Sequence, residues 1–287
     1  MATRRPRAGG REYDNPLRIL RRRPVDSAIM YVLLVIMLAW WAFPLITAVT
    51  QSLKVGGLGN YIAVLTRPMN GVWLWQAFLN SLAVAVLHAV FVCGTGLLAG
   101  YAFARIEFRG RTVIFYVVIA FLAVPATSLI VPVYYITGRL GMFNNLVGVA
   151  LPEAALTLPF AVLLLRNFAS GIPGSFFESA TLDGAGHGRM FAHIFWPLAR
   201  PVTINLASLC VMWSLQDFIF PSLLLRSPGR TTAAQAVMII KSAFGPTPEQ
   251  TAQYFAALVL LAIPALVLIV GALRWMTMGL TAGGIKE

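Results

Sequence analysis

Six long apolar runs constrain this chain more than any other feature of its sequence. Of the 287 residues, 59% are hydrophobic and only 11% are charged, whereas soluble domains carry about 25% charged residues. The mean hydropathy is +0.78, so the bilayer must act as the solvent for much of the surface. The runs are continuous and do not alternate in the manner of barrel strands. They therefore predict an all-α polytopic membrane protein, in which helices satisfy the backbone hydrogen bonds.

The apolar runs predict six transmembrane helices joined by polar connections. Their predicted bounds are 28–50, 77–104, 112–137, 146–168, 202–225 and 252–275. Pro125 and Pro132 predict kinks in the third helix, because a proline leaves a backbone carbonyl without its helical partner. The chain is thus expected to have an Arg-rich arm at 1–27, a transmembrane domain at 28–275 and a tail at 276–287.

The basic residues predict the orientation in the membrane. A formal net charge of +12 on a soluble protein would indicate nucleic-acid binding. Here most arginines flank apolar runs, and the cytoplasmic side of a membrane protein collects such residues. With six helices, sixteen Lys and Arg residues fall on the side of the termini and six on the other. Both termini and the loop at 171–201 are therefore predicted to be cytoplasmic, with membrane lipid and no nucleic acid as the partner of the basic arm.

Motifs of enzymatic chemistry are absent from the sequence. No G-x-x-x-x-G-K-[ST] phosphate loop occurs, since none of the three lysines follows a glycine. H-E-x-x-H, C-x-x-C and G-x-S-x-G do not occur either. We therefore expect no catalytic residue, no metal site and no cofactor in this chain. Cys93 and Cys210 lie in apolar runs and are interpreted as small buried side chains.

Few ionisable side chains lie inside the predicted helices. They include His88, Glu153 near an outer helix end, and Asp217. A transporter driven by ions alone would be expected to place several such groups in the membrane. These three residues are therefore a weak basis for ion coupling, and His88 is interpreted as a packed or hydrogen-bonded helix residue.

The stretch 171–201 is the one long polar, glycine-rich interruption in the second half of the chain. A Pro-Gly pair at 173–174 ends the preceding apolar run. The following SFFE at 175–178 fits the capping box S-x-x-E, in which each side chain binds a free backbone N–H at a helix start. A short helix is therefore predicted over 176–182.

A turn and a second short helix are predicted to complete this loop. The sequence DGAG at 183–186 predicts the turn, in which Gly184 takes a backbone conformation that other residues rarely adopt. A second helix is predicted over 188–195, followed by Pro197 and Pro201 before the next span. Both helices have apolar faces, so a helical hairpin at the membrane surface is expected. From spacing alone, it either docks a partner or only joins two spans.

The residues of this loop resemble the "EAA" loop of ATP-binding-cassette (ABC) import permeases. The family pattern is E-A-A-x-x-D-G-A followed by a hydrophobic stretch with I-x-x-P. This chain differs at Ser179, a small residue like the usual alanine. A second EAA sequence at 153–155 lacks the D-G-A and lies at an outer helix end, so we interpret it as fortuitous. The residues that match or align are Glu178, Ser179, Ala180, Asp183, Gly184, Ala185, Ile194 and Pro197.

Other segments resemble the carbohydrate branch of this family, in particular its smaller, maltose-permease-like subunit. The resemblance covers 28–287 and includes segments at 80–81, 105–110, 140–144, 213–217 and 279–284. It implies a type I ABC importer (MetI-like) fold of six transmembrane helices, with its core at 76–275 and a cytoplasmic coupling loop at 171–201. It also implies a multi-pass protein of the bacterial inner membrane.

The resemblance implies that the loop couples the membrane domain to a separate ATPase. In this family the loop helix docks on a cytoplasmic ATPase that binds the ATP, so Glu178 would cap its helix and meet the ATPase. Asp183 would pair with Arg189 or with the ATPase, and Gly283 and Gly284 of the tail would also contact it. The implied partners are a second permease, two ATP-binding subunits and an extracytoplasmic solute-binding protein.

Asp217 has two interpretations. It lies 16 residues after Pro201, roughly 24 Å along a helix, which places it in the outer half of its span beside Trp213 and Gln216. Aromatic, amide and carboxylate groups together suit the hydroxyl groups of a sugar, so these three residues are candidates for a substrate path. The alternative is that Asp217 is a buried partner that holds helices together.

The sequence thus predicts a permease that forms half of the path of an ATP-driven importer for a sugar or related solute. The alternatives are an ion-coupled secondary transporter that acts alone, an ABC permease for a non-sugar solute, and a structural membrane subunit without a transport path. The coupling loop favours an ABC permease over the other classes. Nothing in the sequence names the solute.

Overall fold

Helices form nearly all of the structure. The computed structural model describes residues 24–243 and 247–282. Within these ranges the only β-pairing is an isolated bridge between Met69 and Val72, which agrees with the predicted all-α class. The helices are α1 (Pro24–Leu53), α2 (Gly59–Thr66), α3 (Leu74–Arg105), α4 (Arg111–Ala120), α5 (Ile130–Arg139), α6 (Leu146–Gly171), α7 (Gly174–Leu182), α8 (His187–Met190), α9 (Trp196–Gln216), α10 (Ile219–Leu224), α11 (Ala233–Ala243) and α12 (Pro248–Ala282).

Five helical segments in the described part of the chain are long and apolar enough to cross a membrane. They overlap five of the six predicted spans, although the fifth begins at His187 and not at 202, and ends at Gln216 and not at 225. Their bounds are Ser27–Leu53, Leu74–Arg105, Leu146–Gly171, His187–Gln216 and Pro248–Val267.

The third predicted span is broken. Its two halves, Arg111–Ala123 and Ala126–Arg139, are bent by 101°, so the prediction of a kinked but single helix over 112–137 is wrong. The break falls at Pro125, and Val124 before it is extended, with φ −83° and ψ 120°. Proline disfavours a helical conformation in the preceding residue and donates no hydrogen bond itself, which accounts for the interruption. Counted as one span, the two halves bring the total to six.

The helices α3 and α6 approach each other closely along the G-x-x-x-G of α3. A Cβ atom on Gly100 would lie 2.7 Å from Leu165 Cβ and 2.9 Å from the Leu165 carbonyl carbon. At Gly96 a Cβ would lie 3.1 Å from Ala161 Cβ. Small residues are therefore required here for the two backbones to pack. The helix α9 packs against the same region, and the interior includes the fully buried Leu165, Phe195 and Leu206.

The connection between the first two spans contains structure that its polar composition did not predict. The helix α2 packs against α12 and buries Val64 completely. Asn60 of this helix is also buried, and its Nδ2 donates a hydrogen bond to the Ser52 carbonyl at 2.8 Å. The amide thereby satisfies backbone groups where the chain leaves α1.

The described residues 24–47 form a unit separate from the remainder of the chain. In this unit the large apolar side chains are exposed, with Trp40 80% and Trp41 76% exposed, as is expected of a segment whose solvent is lipid. Most of the predicted arm at 1–27 lies outside the described residues, as do Gly283 and Gly284 of the tail.

Candidate functional site

The predicted coupling loop contains one short helix, α7, but no capping box starts it. The helix begins at Gly174 with Pro173 in the N-cap position and no side-chain cap. Ser175 thus lies within the helix, where its carbonyl accepts a hydrogen bond from Ser179 Oγ at 2.8 Å. The predicted cap is therefore wrong, because a capping serine must precede the helical residues. Glu178 is exposed, which leaves its carboxylate available to a partner.

The D-G-A of the loop forms the end of α7. Gly184 has a φ of +76°, the left-handed conformation that the sequence predicted. Its N–H donates to the Thr181 carbonyl at 3.0 Å, and the N–H of Ala185 donates to the Ala180 carbonyl at 2.9 Å. These two bonds make a Schellman motif, in which a left-handed glycine satisfies the last carbonyls of a helix. The spacing of Ala180, Gly184 and Ala185 therefore has a direct structural reason.

The second half of the loop differs from its prediction. Residues 187–195 do not form a separate short helix, because α8, a π-helical stretch at Phe191–Phe195 and α9 together make one span, His187–Gln216. The π-helical stretch lies just before Pro197, whose missing N–H would interrupt a regular α-helix. The predicted surface hairpin is thus a single short helix followed by the start of a span. Along this span Ile194 is half-buried and Pro197 is exposed.

The resemblance implied that Asp183 pairs either with Arg189 or with the ATPase. Among the described residues these two side chains form no ion pair. Asp183 instead occupies the C-cap of α7, where its N–H donates to the Ser179 carbonyl at 3.1 Å. Its side chain is exposed beside Gly184.

The inner face of α7 is held by the end of α3. Tyr101 is almost fully buried, and its ring lies 6.4 Å from that of Phe177, 5.4 Å from Phe191 and 5.4 Å from Phe195. The ring of His187 lies 6.3 Å from that of Tyr101. This aromatic cluster joins α3, α7 and the span that begins at His187.

Arg105 makes a second connection at the same place. Its Nη2 donates to the carbonyl oxygens of Ala169, at 2.6 Å, and Ile172, at 2.5 Å. Its guanidinium carbon lies 4.2 Å from the centre of the Phe177 ring. One side chain of α3 thus binds the end of α6 and stacks on α7. Tyr101 was assigned no role from the sequence, and Arg105 was considered only as a basic residue of the cytoplasmic turn and through the resemblance, although the two lie one helical turn apart.

A second candidate site is an open cavity of about 550 Å³ among α3, α6 and α9. It is lined by all three predicted substrate-path residues, Trp213, Gln216 and Asp217. Asp217 is not in a helix, since α9 ends at Gln216 and Asp217 is extended, with φ −68° and ψ 126°. Its Oδ1 accepts a hydrogen bond from the Ile219 N–H at 2.8 Å. The prediction of a single span over 202–225 is therefore wrong, because the helix breaks between α9 and α10. The Asp217 side chain binds the first backbone N–H of α10 at this break.

The structure also brings His88 and Glu153 into this cavity. His88 is hydrogen-bonded as the sequence predicted, with Nε2 2.7 Å from Thr157 Oγ1 and Nδ1 3.1 Å from the Cys210 carbonyl. Glu153 lies near the start of α6, as predicted, but is only 6% exposed, and its Oε2 is 3.6 Å from His88 Nδ1. Its role was missed, although a carboxylate in an apolar run is itself a signal of function. Within the described residues no group of three His, Cys, Asp or Glu side chains could hold a metal ion.

A helical membrane domain with a capped helix at one end and a polar cavity between its spans is typical of the membrane subunit of a transporter. Residues 94–279 match the family described as "Binding-protein-dependent transport system inner membrane component". The chain belongs to this family of ABC importer permeases and is a multi-pass inner-membrane protein. Membership confirms the importer interpretation over a secondary transporter that acts alone.

Individual relatives agree with this assignment. The osmoprotective compounds uptake permease protein GgtD of Synechocystis sp. is 31% identical over 80% of this chain and 75% of its own length. The trehalose transport system permease protein SugB of Mycobacterium tuberculosis is 27% identical over 86% of this chain and 90% of its own length. A chain of a bacterial ABC transporter involved in the import of the acidic polysaccharide alginate has the same fold, with a TM-score of 0.73 and 21% identity, covering 91% of this chain and 98% of that chain.

Proposed function

We propose that this protein forms half of the translocation path of an ATP-driven importer for a sugar or related solute. The other parts would be a second permease, two copies of an ATP-binding subunit and an extracytoplasmic solute-binding protein. The ATP would be bound and hydrolysed by the partner subunits, since this sequence has no phosphate loop. The names of GgtD and SugB support a sugar or a related osmoprotective solute.

The observation that carries this proposal is that α7 buries one face against the end of α3 and exposes other apolar side chains. Its inner residue Phe177 is buried against Tyr101 and Arg105. Its other face exposes Leu182, which is 90% exposed, and Phe176, which is 55% exposed, beside Glu178. Exposed apolar side chains with a carboxylate among them are the chemistry of a docking surface. A partner that binds this surface would move α7.

Movement of α7 would reach the membrane helices through its inner face. Arg105 ties the end of α3 to the end of α6 and stacks on Phe177 of α7. Because packed elements move as rigid bodies, a displacement of α7 would displace α3 and α6 with it. These two helices also line the cavity that holds Glu153 and His88. The geometry therefore gives the ATPase a mechanical route to the solute path.

The proposed orientation places α7 and both termini in the cytoplasm. The charge distribution supports it, because sixteen of the basic residues lie on that side. A cytoplasmic α7 is also what an ATPase partner requires, since ATP is available there.

The test is to replace Gly184 with aspartate in the assembled transporter. We expect uptake to collapse while the protein still reaches the membrane, because a φ of +76° is less favourable for a residue with a Cβ than for glycine, and the aspartate adds a charge to the exposed end of α7. Gly186→Asp is the matched control: it adds the same charge two residues away, where φ is −75° and a Cβ meets nothing within 4 Å. Survival of uptake in Gly184→Asp, or uptake without the ATPase, would contradict the proposal.

The identity of the solute is decided by a separate measurement. Calorimetric titration of the cognate solute-binding protein with sugars, polyols and peptides would show which class it delivers. Tight binding of a saccharide supports the sugar assignment, and tight binding of a peptide alone favours the permease for a non-sugar solute.

A further inference from the structure

Glu153 is a buried carboxyl group whose one ion-pair contact among the described residues is His88, with Oε2 3.6 Å from Nδ1. The residue is 6% exposed, yet neither Oε1 nor Oε2 is in hydrogen-bonding geometry with a described residue. A buried polar atom without a partner is costly, so it usually meets a ligand or water. Glu153 lines the open cavity, so a solute that enters it would lie beside this carboxyl group.

Two neighbours of Glu153 have unused hydrogen-bonding capacity as well. Ser214 is also 6% exposed, and its Oγ has no partner among the described residues. Asp217 uses Oδ1 to bind the Ile219 N–H, but its Oδ2 is unpartnered. Ser214 and Asp217 are close enough to act electrostatically on the Glu153 carboxyl. The three side chains come from α6 and from the end of α9, and all of them line the same cavity.

The apolar part of the lining complements these polar atoms. Trp213 and Phe160 also line the cavity, and their rings are perpendicular, with centres 5.7 Å apart. Such rings provide flat apolar surfaces for the C–H faces of a sugar, while carboxylate and hydroxyl oxygens bind its O–H groups. The combination is that of a site for a hydroxyl-rich solute.

The charges of the lining exclude a second class of solute. His88 is the one basic side chain among the described residues that line the cavity. It lies 3.6 Å from Glu153 and shares the cavity with Asp217. One imidazole facing two carboxyl groups leaves no surplus positive charge. The described lining also contains no Arg or Lys side chain that could bind a carboxylate or phosphate group. An anionic solute would therefore meet repulsion and unpaired charge.

We infer that Glu153, together with Ser214 and Asp217, forms a hydroxyl-binding subsite of the translocation path that accepts uncharged, hydroxyl-rich solutes and rejects anionic saccharides. This inference rests on the proposed function. Glu153 is the specificity-determining residue of the subsite, because it is more buried than Asp217, the other carboxyl group of the subsite, and lies on helix α6. His88, which also lines the cavity, contacts Glu153 at 3.6 Å.

The experiment uses the assembled transporter in proteoliposomes, with ATP inside and the loaded binding protein outside. The probes are three neutral disaccharides (trehalose, maltose and cellobiose) and one uronic-acid disaccharide (cellobiouronic acid). The quantity measured is the solute imported per ATP hydrolysed. This ratio does not depend on how much transporter assembles, because a loss of assembled transporter lowers uptake and ATP hydrolysis in proportion.

For the best neutral probe, we expect Glu153→Leu to lower this ratio about tenfold, as the loss of hydrogen bonds to the buried carboxyl group predicts. Glu153→Gln keeps the shape and one acceptor oxygen, and should recover part of the loss. Glu249→Gln is the control, because Glu249 is an exposed carboxylate at the start of α12 outside the cavity and should leave the ratio unchanged. The uronic-acid probe should not be imported by the unaltered transporter.

Two results would overturn the inference and leave the proposed function intact. One is an unchanged ratio in Glu153→Leu, including the case in which uptake and ATP hydrolysis fall in proportion, since a purely structural role gives that pattern. The other is import of the uronic-acid disaccharide at a rate comparable to the neutral probes. Failure to import any of the four probes, together with a binding protein that binds no saccharide, would instead overturn the sugar assignment itself.

Discussion

Single residues at the end of α3 determine how α7 is attached. Arg105 reaches two carbonyl oxygens at the end of α6 with one nitrogen and places its planar guanidinium over Phe177. Lysine has the same charge but has neither the planar stacking surface nor the fork of donors. The attachment therefore depends on the shape of arginine and not on charge alone.

Arg105→Lys should weaken the coupling of ATP hydrolysis to the solute. We expect the stimulation of ATP hydrolysis by the loaded binding protein to fall about tenfold, because hydrogen bonds from a charged donor contribute about 1.5–3 kcal/mol. Arg109→Lys, at an exposed position in the turn after α3, is the control and should retain the stimulation. Full stimulation in Arg105→Lys would show that the guanidinium does not transmit the movement of α7.

The other decisive residues are those of the D-G-A turn. The sequence motif predicted a turn, and the structure shows why the spacing matters, since Ala180 accepts the bond that Ala185 donates across Gly184. Glu178 does not cap its own helix. Its exposed carboxylate is therefore better explained by a partner than by the stability of α7.

At the level of helices, the close packing of α3 on α6 is the rigid part of the membrane domain. A Cβ at Gly100 would meet Leu165 atoms at 2.7 Å and 2.9 Å, distances at which the backbones must move apart. At Gly94, on the same helix, a Cβ would meet nothing within 4 Å. The two glycines thus provide a matched pair for measuring the contribution of this contact.

Gly100→Ala should destabilise the purified protein by about 1–3 kcal/mol, the usual cost of overpacking a close contact. Gly94→Ala should be neutral or slightly stabilising, because alanine favours the helix. Thermal unfolding of both variants in detergent would measure the difference. Equal melting temperatures would show that α3 and α6 are not in direct contact at Gly100 in solution.

Over the whole molecule, the broken third segment determines the topology. If Arg111–Ala123 and Ala126–Arg139 together cross the membrane, then α7 lies on the opposite side from α2. If this bent pair only enters the membrane and returns, α7 and α2 lie on the same side. The charge distribution favours the first arrangement, because it places the arginines that flank α7 in the cytoplasm.

Cysteine labelling in sealed vesicles distinguishes these two topologies. The native Cys93 and Cys210 are buried, so single cysteines can be introduced by Ser179→Cys on α7 and Thr66→Cys on α2, both at exposed positions. We expect a membrane-impermeant maleimide to label Cys at 66 from the outside and Cys at 179 only from the cytoplasmic side. Labelling of both positions from the same side would show that the bent pair does not span the membrane.

Much of the fold could be predicted because hydropathy and turn residues act locally. The apolar runs located all five long spans, and the D-G-A located the end of α7. Two wrong predictions concern continuity: the bend of 101° at Pro125, and the uninterrupted span from His187 despite Pro197. A proline shows where a helix is strained, but the neighbouring helices decide whether the chain bends there or continues through a π-helical stretch.

By itself the sequence determined that this is a helical membrane protein and located the short helix that ends at the D-G-A, because both properties are encoded in short stretches of adjacent residues. Only the tertiary structure brought Glu153, Ser214 and Asp217 to one cavity beside His88, whose own partners are 69 and 122 residues away along the chain. Such convergence depends on how α3, α6 and α9 pack against one another. No local pattern of hydropathy or spacing contains that information.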